Sequence, residues 1–138
     1  MIIDHIAFVV SSLERGILQW RNEFGYTQMT EPVENSRQKV KVVFLRKDGS
    51  VTIKLVEPSG ETSPVYKLAA RGGGLHHICF HCDDLRGEIS RLVAEGARVL
   101  AAPQPGEAFD GEEIAFLFCK NGLNVELIET DKKARLIK

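Results

Sequence analysis

A chain of 138 residues with a net charge of −1 and three cysteines suits one compact domain that buries a substantial core. Its basic and acidic side chains are interspersed, which excludes an electrostatic footprint for nucleic acid or an anionic membrane surface. The sequence has no secretory-type segment and no run of about 18 apolar residues, and its odd cysteine count agrees with a reducing compartment, so we expect a soluble cytoplasmic protein.

The first predicted elements are a strand and a helix. Residues 2–10 form a β-rich apolar run bounded by serines, which predicts a buried strand. Ser11 and Glu14 match a capping box, and Gly25 is a helix stop signal. Between them, apolar residues recur at helical spacing, at Leu13, Ile17, Trp20 and Phe24. We therefore predict a helix that packs on the apolar face of the strand.

The rest of the first half predicts a hairpin. Residues 40–46 and 51–57 have strand patterns and flank a turn at 47–50. Residues 26–31 are compatible with an additional strand. The polar segment 30–39 predicts an exposed loop near whatever the protein binds.

A short connector follows the hairpin. Ser63 and Pro64 are the N-cap and first-turn residues that helices prefer, which predicts a short helix that runs through Ala70. Gly72, Gly73 and Gly74 precede a strand without a phosphate-loop pattern, so they predict a hinge.

The second half repeats the same plan. Its predicted strands lie at residues 75–82, 98–100, 114–119 and 123–130. Its helix has Asp84 as the N-cap and ends at Gly96. Residues 103–111 are predicted to form a long loop, and residues 121–122 a hairpin turn. Residues 131–138 are predicted to form a mobile charged tail.

The two halves match at one constant offset. Residues 4–8 (Asp-His-Ile-Ala-Phe) align with residues 76–80 (His-His-Ile-Cys-Phe), and residues 53–57 align with residues 125–129 without a gap. The chain therefore contains two copies of one module, at about 1–60 and 74–130. We expect both copies to share a single domain of residues 1–138.

Four polar side chains occupy matched positions in the two copies. His5 matches His77, and Lys54 matches Glu126. Lys54 and Glu126 each lie between apolar neighbours in a strand, so alternation places them on the face opposite the core. Two neutral imidazoles and a carboxylate suit a divalent metal such as Zn, Co, Ni, Mn or Fe, and they leave positions open for substrate.

Lys54 leaves two interpretations open. In one, three residues bind the metal while Lys54 acts as a base or holds an anionic group of the substrate. In the other, an ion pair between Lys54 and Glu126 replaces the metal. His76 has the opposite strand parity to His77, and it is not counted as a ligand.

These residues resemble a known family. The paired strands at 4–8 and 76–80, with Glu126 between Val125 and Leu127, resemble the vicinal oxygen chelate superfamily of glyoxalases, extradiol dioxygenases and bleomycin-resistance proteins. Within it, residues 74–80 followed by Asp83 and Asp84 are most similar to the methylmalonyl-CoA epimerases. The resemblance implies an α+β fold in which two βαβββ modules form a curved sheet around a cleft, and it implies a homodimer.

The resemblance also implies a site and an activity. It places metal ligands at His5, His77 and Glu126 and a fourth ligand position at Lys54, where epimerases usually have glutamine or glutamate. We expect Glu126 and Lys54 to be the catalytic residues, with Lys54 in place of an acid–base carboxylate that some epimerases carry on the strand at 39–44. It implies a metal-dependent epimerase or isomerase that acts on an acyl-CoA or similar substrate through an enolate. The alternatives are a lactoylglutathione lyase-like glyoxalase and a metal-free binding protein of the bleomycin-resistance type.

Overall fold

The computed structural model describes residues 1–138 as a nine-stranded curved sheet with three helices. The first module contains β1 (Ile2–Val9), α1 (Leu13–Phe24), β2 (Thr27–Gln28), β3 (Val33–Asn35), β4 (Val40–Arg46) and β5 (Thr52–Pro58). After α2 (Tyr66–Ala70), the second module contains β6 (Gly74–His81), α3 (Leu85–Ala94), β7 (Arg98–Pro105), β8 (Glu113–Cys119) and β9 (Leu123–Ile128). The predicted α+β fold class is confirmed. None of the helices combines the length and apolar character that a membrane crossing needs.

The two modules join edge to edge through their first strands. The strands follow the order β2-β4-β5-β1-β6-β9-β8-β7, and β3 also pairs with β4. β1 and β6 are antiparallel, whereas β5 is parallel to β1 and β9 is parallel to β6. The parallel registers repeat the offset found in the sequence, since Ile6 pairs with Ile53 and Ile78 pairs with Val125. The four strands that carry the candidate site residues therefore lie side by side at the centre of the sheet.

Both faces of the sheet are packed. Two of the helices cover the outer face, where α1 packs on Leu55 and its neighbours and α3 packs on Leu127 and its neighbours. The inner face, which was expected to be the non-core side, carries the largest buried cluster, with Ala7, Phe44 and Phe109 among its members. That expectation was wrong because the inner face curves around its own apolar residues, and a strand buried on both faces does not alternate simply.

The helix starts keep the repeat down to individual hydrogen bonds. Ser12, rather than the expected Ser11, is the N-cap of α1, because Ser12 has extended backbone and its Oγ accepts from the Arg15 amide. Asp84 is the N-cap of α3, as predicted. A glutamate at the end of the parallel partner strand or directly after it then accepts the first helical amide in each module, at 2.9 Å in both (Glu57 to Leu13, Glu129 to Leu85).

Three predicted irregular segments are structured. β3 lies inside the predicted loop 30–39, where it forms an antiparallel pair with β4. The predicted loop 103–111 is replaced by the end of β7 and a 3-10 turn (Glu107–Phe109), whose Phe109 is buried. The tail 131–138 is packed rather than mobile, since Lys133 and Ala134 are buried and the Ala134 amide donates to Ala108 O. Long-range contacts that local sequence cannot reveal order all three segments.

Gly73→Ala is expected to lower the free energy of unfolding by about 2–4 kcal/mol. Gly73 has a φ of +77°, and a Cβ there would lie 2.2 Å from the Val9 carbonyl oxygen, which belongs to backbone and cannot rotate away. Urea denaturation measures the loss. Gly60→Ala is the matched control, because nothing lies within 4 Å of a Cβ at Gly60. Equal losses in both variants would contradict this account of the hinge.

Candidate active site

The structure brings the four predicted side chains together on the inner face of the sheet. Nε2 of His5 and Nε2 of His77 each lie 3.0 Å from the same oxygen, Oε1 of Glu126. Nζ of Lys54 lies 3.5 Å from that oxygen. All four residues are buried. Four strands that are distant in the sequence therefore deliver two imidazoles, a carboxylate and an ammonium group to one point.

A β-bulge positions His5. The pairing of β1 with β6 skips Asp4, so that Asp4 and His5 do not alternate as neighbours in a regular strand would. His5 Nδ1 donates to Asp4 Oδ2 at 2.7 Å. This contact fixes the orientation of the imidazole and directs its other nitrogen toward Glu126, an arrangement common for histidines that bind metals.

A second bulge positions His77 at the matched place in the other module. Here the pairing skips His76, and its Nδ1 lies 2.7 Å from Nδ1 of His77. The argument from strand parity assumed a regular strand and was wrong about the face on which His76 lies, although His76 remains outside the set of three candidate ligands. Asp4 and His76 occupy equivalent positions in the repeat, so the repeat itself was the signal that could have identified both residues.

Lys54 lies in an aromatic environment that it shares with a second lysine. Its Nζ is 5.7 Å from the ring centre of Phe44 and 5.5 Å from that of Phe109. Nζ of Lys133, from the C-terminal tail, lies 5.2 and 5.3 Å from the same two rings. Lys133 also lies 3.2 Å from Asp4 Oδ2. No pattern in the sequence pointed to Lys133 as part of this site.

The surroundings determine the charge states at the cluster. Burial acts to raise the pKa of Glu126, but the charge of Lys54 and the contacts with both imidazoles outweigh it and hold that pKa well below its usual value. Burial lowers the pKa of His77 to about 3. At neutral pH the cluster therefore contains an ionised carboxylate and a neutral His77 imidazole.

The donor set fits a divalent cation. Because a carboxylate only accepts hydrogen bonds, His5 uses its Nδ1 proton on Asp4, and its Nε2 faces the lone pairs of Glu126 Oε1 at 3.0 Å. Two lone pairs at this distance repel each other unless a proton or cation lies between them. Glu126 Oε2 is also buried without a hydrogen-bond partner. The two imidazoles and this carboxylate are close enough to share one ion.

A small cavity of about 210 Å³ opens beside the cluster. Lys54, His76 and His77 contribute polar surface, and most of the remaining wall is apolar and comes from Val40, Val42, Val56, Val65, Leu100 and Phe116. Asn35 and Gln38 from the segment 30–39 also line the cavity. This segment was expected to lie near whatever the protein binds. The cavity is smaller than the roughly 300 Å³ at which sites for drug-sized ligands begin, so it accommodates only a small group.

The sequence and the fold both have known relatives. Residues 4–116 match the family described as the Glyoxalase/Bleomycin resistance protein/Dioxygenase superfamily. The ethylmalonyl-CoA/methylmalonyl-CoA epimerase of Cereibacter sphaeroides is 34% identical over 129 residues, which cover 91% of this chain and 95% of that protein. The mitochondrial methylmalonyl-CoA epimerase of Dictyostelium discoideum is 32% identical over 131 residues, which cover 92% and 77%.

A solved structure agrees with these relatives. A variant of Streptomyces coelicolor methylmalonyl-CoA epimerase in complex with 2-nitronate-propionyl-CoA superposes with a TM-score of 0.77. It is 31% identical to this chain, and the match covers 93% of this chain and 96% of that one. The arrangement of strands that creates the cleft is thus shared along nearly the whole length of both chains.

Proposed function

The chain belongs to the glyoxalase/bleomycin resistance protein/dioxygenase superfamily, and from this membership we propose that it is an isomerase of the methylmalonyl-CoA epimerase type. Its proposed substrate is an acyl-CoA, or a similar compound, with an acidic hydrogen next to the thioester carbonyl. A base removes that hydrogen to give an enolate, and a second group returns a proton on the opposite face, which inverts the α-carbon.

One observation carries this proposal: His5, His77 and Lys54 all lie within 3.5 Å of a single buried oxygen of Glu126, at the wall of a small cavity. An enolate needs concentrated positive charge at the oxygen where its negative charge develops. A divalent ion held in a buried cluster would supply this better than one at an exposed site, because water does not screen it. The identity of the curated relatives supports the same chemistry.

Each residue has a proposed role. A divalent ion held by His5, His77 and Glu126 would act as a Lewis acid that polarises a thioester carbonyl and acidifies the adjacent C–H bond. Glu126 orients the cluster, since both imidazoles and Lys54 meet at its oxygen. Lys54 lines the cavity and is proposed as one of the two groups that exchange a proton with the α-carbon.

The cavity supports a short acyl group as the part of the substrate that enters. Its volume of about 210 Å³ leaves the much larger CoA moiety outside, along the surface. The apolar side chains of the cavity wall exclude water from the reacting carbon, which strengthens the electrostatic interactions inside. We therefore propose that specificity for the acyl group resides in these walls.

The test is conversion of a single epimer of methylmalonyl-CoA, followed by a chiral assay, with Co²⁺ present and after removal of metal with EDTA. We expect conversion with Co²⁺ and a loss of at least about a hundredfold in kcat/KM after EDTA treatment. The hemithioacetal of methylglyoxal and glutathione serves as the comparison substrate. Turnover of this compound but not of methylmalonyl-CoA would identify a glyoxalase and overturn the proposal.

A second candidate function is a metal-free protein that sequesters a small molecule in the cleft. The 3.5 Å contact between Lys54 and Glu126 favours it, because an ion pair can close a site that would otherwise hold metal. This candidate predicts ligand binding with no turnover in either assay.

The expected homodimer stays a prediction, which light scattering coupled to gel filtration tests.

A further inference from the structure

The cluster contains two lysines, and both are almost completely buried. Lys54 is 4% exposed and Lys133 is 6% exposed. Each contacts one carboxylate, since Lys54 lies 3.5 Å from Glu126 and Lys133 lies 3.2 Å from Asp4. Lysine is rarely buried unless it is paired, so these two contacts explain how both ammonium groups are tolerated.

The formal charges of this cluster balance before any ion enters. The two carboxylates contribute two negative charges, and the two ammonium groups contribute two positive charges. The same two aromatic rings, Phe44 and Phe109, lie beside both ammonium groups and isolate them from solvent. A balanced group of buried charges has little affinity for an additional cation.

A divalent ion alone would therefore bind against the repulsion of two nearby ammonium groups in a medium that screens charge poorly. An anion that enters the cavity at the same time removes this penalty. A simple acyl thioester brings no formal charge to the site. An acyl thioester with a second, free carboxylate on its α-carbon does, and the cavity is large enough for such a group.

We propose that Lys54 and Lys133 make binding of a divalent ion at this site depend on the simultaneous binding of a substrate carboxylate, and that these two lysines set the strength of the coupling. The inference rests on the proposed function, whose metal ligands it adopts. It adds that the free protein binds the ion weakly, that substrates without the second carboxylate do not improve this binding, and that the tail residue Lys133 takes part.

The experiment is a titration of the full-length protein with Co²⁺ by calorimetry, in the absence of thioester and in the presence of saturating malonyl-CoA or acetyl-CoA. Both thioesters carry the same phosphates, so binding of Co²⁺ to the CoA moiety cancels. We expect malonyl-CoA to tighten Co²⁺ binding at least about tenfold and acetyl-CoA to leave it unchanged. By linkage, Co²⁺ must tighten malonyl-CoA binding by the same factor.

The variants Lys54→Gln and Lys133→Gln should each tighten Co²⁺ binding to the free protein at least about tenfold and reduce the effect of malonyl-CoA. Lys132→Gln is the matched control, because its side chain is exposed and pairs with Glu112 on the surface; it should bind Co²⁺ as the wild type does. Lys133→Gln removes the ion-pair partner of Asp4, so thermal melts are recorded to check that this variant folds. If it does not fold, the result with Lys54→Gln decides whether the inference holds.

Equal Co²⁺ affinity with malonyl-CoA, with acetyl-CoA and without thioester would overturn the inference, as would unchanged affinity in Lys54→Gln or no Co²⁺ binding in any state. These outcomes are separable from failure of the proposed function, because α-proton exchange is measured on the same samples. Tighter Co²⁺ binding with malonyl-CoA but no α-proton exchange supports the inference and contradicts the epimerase function. Exchange of the α-proton without any effect of malonyl-CoA on Co²⁺ binding supports the epimerase function and contradicts the inference.

Discussion

Glu126→Gln is expected to abolish epimerisation and to destabilise the fold at the same time. The carboxylate is completely buried, and its Oε1 is the atom on which both imidazoles and Lys54 converge. An uncharged amide cannot balance the Lys54 ammonium group, which would remain buried without an anion. We expect kcat/KM to fall by about 10³ or more and the free energy of unfolding to fall by about 3–5 kcal/mol.

The double variant Glu126→Gln with Lys54→Met separates the two effects. It removes both charges, and replacement of a buried ion pair by uncharged groups of similar volume is often close to neutral for stability. Urea denaturation should therefore show that most of the lost stability returns, while the epimerase assay should show that activity does not. If Glu126→Gln alone kept its kcat/KM within tenfold of the wild-type value, the role given to Glu126 would be contradicted.

Lys54→Arg and Lys54→Gln are expected to fail in different ways. Arginine keeps the positive charge but does not release a proton at any ordinary pH. If Lys54 exchanges the α-proton, Lys54→Arg should lower kcat by about 10²–10⁴ while KM stays within about threefold, because the charge that attracts an anionic group remains. Lys54→Gln loses the charge as well, so its KM should rise together with the fall in kcat.

The comparison variants are Lys41→Arg and Lys41→Gln, since Lys41 is exposed on the neighbouring strand β4 and makes no contact with the cluster. Steady-state kinetics on methylmalonyl-CoA should be unchanged in both. A Lys54→Arg variant that retains the wild-type kcat would contradict an acid–base role and would assign to Lys54 a purely electrostatic one.

The central geometry could be predicted because it follows from the repeat. His5 and His77 lie on equivalent strands, and the same parallel register places Lys54 beside β1 and Glu126 beside β6. Alternation then directs all four side chains to one face. The bounds of β4, at residues 40–46, also match the prediction, because an apolar β-branched run between turn residues is a strong local signal.

The two bulges could not be predicted, although they determine how the imidazoles point. A bulge is a mismatch between two paired strands, so neither strand records it in its own sequence. Alternation consequently assigned His76 to the face away from His77, whereas Asp4 and His76 each lie 2.7 Å from the histidine that follows in the chain. The positions were available from the repeat, but the contacts depended on the register between β1 and β6.

The prediction of a mobile C-terminal tail was wrong for a different reason. Residues 131–138 are charged, and charged terminal segments are usually solvated. Lys133 is buried because the Asp4 carboxylate, from the opposite end of the chain, offers it a partner beside two aromatic rings. An interaction between the first strand and the last residues is invisible to any local pattern.

The measurement that tests the central claim most directly is deuterium exchange at C2 of methylmalonyl-CoA. One epimer is incubated with the wild-type protein and Co²⁺ in D₂O, and the product is followed by NMR and mass spectrometry. The predicted result is incorporation of a single deuterium at C2 with progress toward an equal mixture of epimers. Binding of methylmalonyl-CoA with no exchange above the uncatalysed rate would contradict the assignment of this cluster as an epimerase site.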